Sequence, residues 1–184
     1  MKNSILIVDD EAPVIAALKR ALLDEPFEVY GASSGEEALR LMSQQPFKVV
    51  ISDERMPGMD GAKFLSHVRL RHPETVRIML TGHASVEATM RAVNSGEIYR
   101  FFTKPWEDVM LKMAIRSAIE KYDLEDENRR LLKTVKRQSQ ELRYLENHFP
   151  GIGDVRKDSR GAILIDLSDD EVAEVVAACN RGEE

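Results

Sequence analysis

Asp9, Asp10, Asp53, Thr81 and Lys104 are the residues of this 184-residue sequence whose types and surroundings suit chemistry. Each follows or closes an apolar run. Ser4-Ile5-Leu6-Ile7-Val8 leads into Asp9-Asp10-Glu11, Val49-Val50-Ile51-Ser52 into Asp53, Val76-Arg77-Ile78-Met79-Leu80 into Thr81, and Ile98-Tyr99-Arg100-Phe101-Phe102-Thr103 into Lys104-Pro105. Such runs read as buried parallel strands, and in an open α/β sheet the carboxyl edge of the strands is where sites form. A buried carboxylate is costly unless a cation, a donor or a proton neutralises it. Several acids at one edge repel each other and ask for a hard divalent cation with oxygen ligands, most simply Mg²⁺. With a hydroxyl and an ammonium group beside them, the set is equipped to place a phosphoryl group on a carboxylate next to a metal.

The elements that must position these groups alternate between strand and helix signals. Pro13 to Leu23 carries Val14, Ile15, Leu18 and Leu22 at helical spacing, and Phe27 to Tyr30 is a short strand. Ser34-Gly35-Glu36-Glu37 offers a capping box before Ala38, Leu39, Leu41 and Met42. After the Asp53 strand and the turn residues Pro57-Gly58, the spacing predicts a helix over Gly61 to Arg71 with Phe64, Leu65 and Val68 inward. Another is predicted over Val86 to Asn94, stopped by Ser95-Gly96. Five βα units of this length give an α/β domain with a doubly wound, five-stranded parallel sheet.

At this point the chain resembles the receiver (CheY-like, flavodoxin-like) domain of two-component response regulators. The resemblance covers about residues 2 to 122. It rests on Asp9-Asp10, on Asp53 with Met56-Pro57-Gly58-Met59-Asp60-Gly61, on Thr81, and on Lys104-Pro105. Singly, a strand-end Asp is more often a turn former, a Thr a strand residue and a Lys a solvated one; five elements in the right order carry a signal that none has alone. The resemblance implies that Asp53 accepts a phosphoryl group from a phosphohistidine on a sensor histidine kinase. It implies that Asp10 and Asp53 hold Mg²⁺, with Asp9 assisting and the backbone carbonyl of Arg55 as a further oxygen. Lys104 would pair with the Asp53 carboxylate and then with the phosphoryl group, aimed inward by a Lys104-Pro105 bond that is often cis in this family. Thr81 would offer its hydroxyl to a phosphoryl oxygen, and Phe101 would be the rotating aromatic, with Phe102 competing for the same inward place. Arg55 and His83 flank the approach of hydrolytic water and depart from the commonest versions of the motif, so both are expected to alter phosphoryl lifetime.

Two other classes use similar equipment. A Mg²⁺-dependent phosphatase also phosphorylates an aspartate, but such enzymes usually place a second Asp two residues after the nucleophile, where this chain has Arg55. A receiver-like scaffold that takes no phosphate is the other alternative, and the intact acidic set argues against it.

The length allows one full domain plus an appendage. There is no run of about 18 apolar residues and no leader-like start, so neither a membrane span nor a signal peptide is expected. A single cysteine, Cys179, cannot form an internal disulfide, and a cytoplasmic setting follows. The net charge of -6 comes mostly from the last 35 residues, with 4 basic against 9 acidic side chains. That distribution argues against bulk electrostatic binding of nucleic acid, which needs a basic face.

From Glu107 to His148 there is neither Pro nor Gly, and a helix of that length would span about 63 Å at 1.5 Å per residue. Its first turns, with Val109, Leu111, Met113, Ala114, Ile115, Ala118 and Ile119, are broad enough to cover the sheet and present a second face. Beyond them, Leu124, Asn128, Leu131, Val135, Gln138, Leu142, Leu145 and Phe149 are spaced alternately by four and three, a heptad seam that a lone helix cannot bury. Asn128 at an a position favours a parallel homodimer through residues 124–149. Against it, Glu120 with Glu125 and Glu141 with Glu146 would meet as like charges, and the bland alternative is a helix folded back on another domain. Arg129, Arg130, Lys133, Lys136 and Arg137 fall at b, c and f and read as a solvated outer face.

The domain reading is therefore 1–122 for the receiver, 123–149 for a coiled-coil helix continuous with its last helix, and 150–184 for a small β/α tail. In that tail Gly161 to Leu167 suggests a strand and Ser168-Asp169-Asp170-Glu171 caps a short helix carrying Val172, Val175, Val176 and Cys179 on one face. About 35 residues are too few for an independent core. No zinc spacing, nucleotide-binding glycine loop, helix-turn-helix or cyclase motif names an output. A signal would pass through the coil to the tail, to a partner or to a domain outside this sequence.

Overall fold

The computed structural model describes residues 3–82 and 98–148. Its elements are β1 (Ser4–Val8), α1 (Ala12–Ala21), β2 (Glu28–Ala32), α2 (Gly35–Gln44), β3 (Val49–Asp53), α3 (Gly61–Arg71), β4 (Val76–Thr81), β5 (Arg100–Thr103) and α4 (Asp108–His148). The five strands form one parallel sheet in the order β2-β1-β3-β4-β5. The central strands β1 and β3 are buried along their whole length, which is why they read as unbroken apolar runs.

Side chains of a strand alternate between its two faces, so the sheet carries two cores. Ile5, Ile7, Val49, Ile51, Ile78 and Leu80 share one with Leu18 and Leu22 from α1 and Leu111, Ile115, Ala118 and Ile119 from α4. Leu6, Val8, Val50 and Met79 share the other with Ala38 and Met42 from α2 and Phe64, Leu65 and Val68 from α3. Phe101 packs on the second core and its neighbour Phe102 on the first. The two aromatics therefore occupy opposite faces and do not compete for one place.

Local signals set the helix starts. Ser34 caps α2 by accepting from the Glu37 N–H at 3.2 Å. The Glu37 carboxylate reaches back one residue further than a capping box requires, accepting from both the N–H and the hydroxyl of Ser33 at 2.7 Å. The expected Gly61–Arg71 helix is found with those bounds, capped by Asp60, whose carboxylate accepts from the Lys63 N–H. Two edge strands differ from expectation: β2 begins and ends slightly later, at Glu28–Ala32, and β5 is only four residues long, starting at Arg100. The expected helix over 86–94, the tail elements and Phe149 lie outside the described residues.

Buried positions on α4 run Leu111, Ala114, Ile115, Ala118, Ile119 and Tyr122, the three-and-four spacing of a face packed on a sheet. After Tyr122 the apolar side chains are open to water in the single chain, Leu124 at 73% and Leu142 at 60% exposure among them. Where burial stops, Lys48 at the foot of β3 donates to Asp123 Oδ1 at 2.6 Å and to Asn3 Oδ1 at 2.7 Å, with the Tyr122 ring 5.8 Å beneath its ammonium. Residues Met1–Leu131 form one compact unit and Leu132–Glu184 a second.

Candidate functional site

The carboxyl end of β3 is held by the start of α3. The Gly61 N–H donates to the Glu54 carbonyl at 2.9 Å, and a Cβ on Gly61 would lie 1.9 Å from the Asp53 carbonyl oxygen. Only glycine allows that approach, because the obstacle is backbone and cannot step aside. Gly58, at a φ of 77°, makes the reversal between strand and helix in the left-handed region. The Pro57-to-Gly61 motif is thus the brace that fixes where Asp53 points.

Asp53 is buried, and both its oxygens are engaged. Oδ2 accepts from the Arg55 N–H at 2.7 Å, and Oδ1 lies 2.5 Å from the Lys104 ammonium. The same ammonium donates to Asp9 Oδ2 at 2.8 Å, while Asp9 Oδ1 accepts from the Glu11 N–H at 2.9 Å. One lysine therefore neutralises two carboxylates drawn from different strands, as the cost of burying charge demands. Burial pulls the Lys104 ammonium toward a lower pKa, but the hydrogen bonds from Asp53 and Asp9, with their charges, outweigh it and hold the group above its ordinary value. The Lys104-Pro105 peptide is cis, and the Lys104 N–H donates to the Thr81 carbonyl at 2.7 Å, seating lysine and threonine side by side.

Thr81 is fully buried at the end of β4, and its hydroxyl donates to Glu54 Oε2 at 2.5 Å. Asp10 and Arg55 are exposed at the rim and Phe101 is half-buried one strand away; His83 lies outside the described residues. The structure thus brings together Asp9, Asp53 and Lys104, with Thr81 hydrogen-bonded beside them, and leaves Asp10 outside that cluster. Glu54 carries no signal in the sequence, where it is one more polar residue after a strand.

As for a divalent cation, the donors on offer are all oxygens, which is the set Mg²⁺ takes. Asp9 and Asp53 already converge on a single cationic point. Among the described residues no three acids, histidines or cysteines gather around a common point, and Lys104 lies between the two carboxylates. The chemistry of the donor set fits the ion.

A doubly wound parallel sheet carrying a lysine-bridged aspartate pair at its carboxyl edge suits the class of domains that take a phosphoryl group on an aspartate. Residues 5–116 match the response regulator receiver domain family, and the chain belongs to it. The chain is 41% identical over 128 residues to the hydrogenase transcriptional regulatory protein HoxA of Cupriavidus necator, a stretch covering 70% of this chain and 26% of that protein. It is 32% identical over 166 residues to the regulatory protein AtoC of Escherichia coli, covering 90% of this chain and 36% of that one, so that similarity runs on past the receiver. Among solved structures, that of an adenylate cyclase from Rhodopirellula baltica is 40% identical with a TM-score of 0.68, covering 72% of this chain and 98% of that one. A response regulator receiver domain protein from Clostridium thermocellum is 32% identical with a TM-score of 0.62, covering 66% and 97%. The chain spans about a quarter to a third of the length of these curated relatives. The family match sets the phosphatase alternative aside. No helix among the described residues is long and apolar enough to cross a membrane.

Proposed function

We propose that this chain is a phosphorylation-controlled signalling protein in which Asp53 takes the phosphoryl group of a phosphohistidine on a sensor histidine kinase. The observation that carries this reading is the Lys104 ammonium shared between Asp53 and Asp9 at the carboxyl edge of the sheet. An Asp53 oxygen attacks phosphorus as the N–P bond of the donor breaks, giving an acyl phosphate and a free imidazole. Lys104 keeps the attacking carboxylate oriented, then follows the charge to the new phosphoryl oxygens. The Arg55 N–H holds the second Asp53 oxygen so that one oxygen is presented for attack. Asp9, Asp10, Asp53 and the Arg55 carbonyl would hold Mg²⁺, which supplies charge stabilisation to the transferring group. Thr81 donates to a phosphoryl oxygen and Phe101 reports its movement along β5. Arg55 and His83 tune how long the adduct lasts.

Residues 1–122 act as the receiver, 123–149 as a parallel coiled coil joining two copies, and 150–184 as a tail acting beyond it. The exposed stripe Leu124, Leu131, Val135, Leu142 and Leu145 supports the dimer, because a single chain leaves it in water. The setting is cytoplasmic, where such kinases present their phosphohistidine. The names of the relatives, transcriptional regulators, suggest that the signal ends on gene expression through a part outside this sequence.

Incubation with Mg²⁺ and acetyl phosphate, followed by intact mass, tests the acceptor: one added phosphoryl group is expected, and none on Asp53→Asn. An adduct that survives Asp53→Asn would move the acceptor elsewhere. Light scattering on the chain and on a version ending at Glu127 tests the assembly, with a dimer expected for the first and a monomer for the second.

A further inference from the structure

Glu54 is the residue the reaction scheme leaves unused, although it holds one of the groups the scheme needs. A threonine hydroxyl has one proton to give. Here that proton is directed at Glu54 Oε2, 2.5 Å from Thr81 Oγ1, with the hydroxyl fully buried. Glu54 is itself anchored: its N–H donates to the Leu80 carbonyl at 2.8 Å and its carbonyl accepts from Gly61, so its backbone cannot drift from β4. Donation to a carboxylate is among the stronger hydrogen bonds a hydroxyl makes.

We propose that Glu54 is a positioning residue that latches Thr81 in the unphosphorylated protein and must release it before Thr81 can serve the phosphoryl group on Asp53. The inference rests on the Asp53 reading above. Thr81 cannot donate to both acceptors, so the Glu54 carboxylate and the phosphoryl oxygens compete for a single proton. When the phosphoryl group wins, Glu54 loses its donor next to a new multiply charged neighbour and is driven toward solvent. The latch therefore sets how much of the phosphorylated protein adopts the switched arrangement, without touching the transferred group.

Beryllofluoride with Mg²⁺, a phosphoryl mimic, is the probe. The lone tryptophan, Trp106, two residues from Lys104, reads its binding by fluorescence. Glu54→Ala is expected to bind the mimic about tenfold more tightly, the scale of one hydrogen bond to a charged group. In a Thr81→Ala background the same substitution is expected to bring no gain. A merely structural role for Glu54 would weaken binding rather than tighten it. Unchanged affinity in Glu54→Ala, or a gain that persists without the Thr81 hydroxyl, overturns the latch. The acetyl phosphate adduct is measured alongside: its presence on the wild type with no gain in Glu54→Ala removes the latch alone, whereas its absence on the wild type removes the acceptor reading and the latch with it.

Discussion

Two lysines are drawn into opposite ends of the same sheet, and they are held in different ways. At the carboxyl edge, Lys104 keeps 21% of its side chain exposed and shares its charge between Asp9, 1% exposed, and Asp53. At the amino edge, Lys48 is the buried partner at 5%, and its acid, Asp123, is 53% exposed. Charge sits on the inside as anions at one end and as a cation at the other. Where two carboxylates are buried around a reachable ammonium, any incoming cation or phosphoryl group changes the balance. Where the ammonium is buried and its acid stands in solvent, nothing that arrives can use it. The first arrangement is a site and the second is a tie.

The sharpest way to break the carboxyl end spares its charges altogether. Gly61→Ala places a methyl group against the Asp53 carbonyl, so the brace must move; a loss of about 3 kcal/mol in urea unfolding and a large drop in phosphoryl uptake are expected. Next comes Lys104→Met, which keeps the stem and removes the charge. It leaves Asp9 and Asp53 uncompensated and should cost about 3 kcal/mol without Mg²⁺. Added Mg²⁺ should restore more stability to this variant than to the wild type. Lys48→Met is expected to cost only about 1 kcal/mol, since Asp123 can be solvated, and to leave acetyl phosphate uptake as it was. Equal costs for the two lysine variants would remove the distinction between site and tie.

The smallest effect is in pH. Because Lys104 has its pKa raised above 10.5 in the folded protein, its contribution is whole below that value and is lost as pH rises through the raised one. The stability gap between wild type and Lys104→Met should hold constant through neutral and mildly alkaline pH and narrow beyond 10.5. A gap that closed below pH 9 would mean that the ammonium is not held by the two acids.

The sequence is most legible where the chain's own pattern does the positioning. Asp53, Thr81 and Lys104 each follow or close an apolar run, so strand direction alone sends them to one edge, and Gly61 to Arg71 carries its cap, its inward face and its basic last turn within one stretch. Glu54 and Lys48 had no such signal. Glu54 reaches Thr81 because it is the next position after Asp53, the last residue of β3, which pairs with Leu80, so the β3–β4 register sets the two side by side. Lys48 meets Asp123 across 75 positions of chain. Both contacts join separate elements of the chain, beyond the single helix or strand over which periodicity speaks. Asp9 and Asp10, adjacent in sequence, could be told apart only by which one the last turn of backbone buried. Ile98 and Tyr99, apolar like the strand they precede, lengthen the apolar run beyond the four residues of β5.

The Lys48 contact bears on how this receiver can be transplanted. A chimaera is usually joined at the last residue that packs on its donor, which here is Tyr122. A splice at that point would strip away Asp123, and the sealed ammonium would face whatever the recipient helix supplied. Grafts carrying an acid at position 123 should fold with the stability of the parent, whereas grafts carrying lysine or leucine there should be weakened at the joint, however well the heptads are matched downstream.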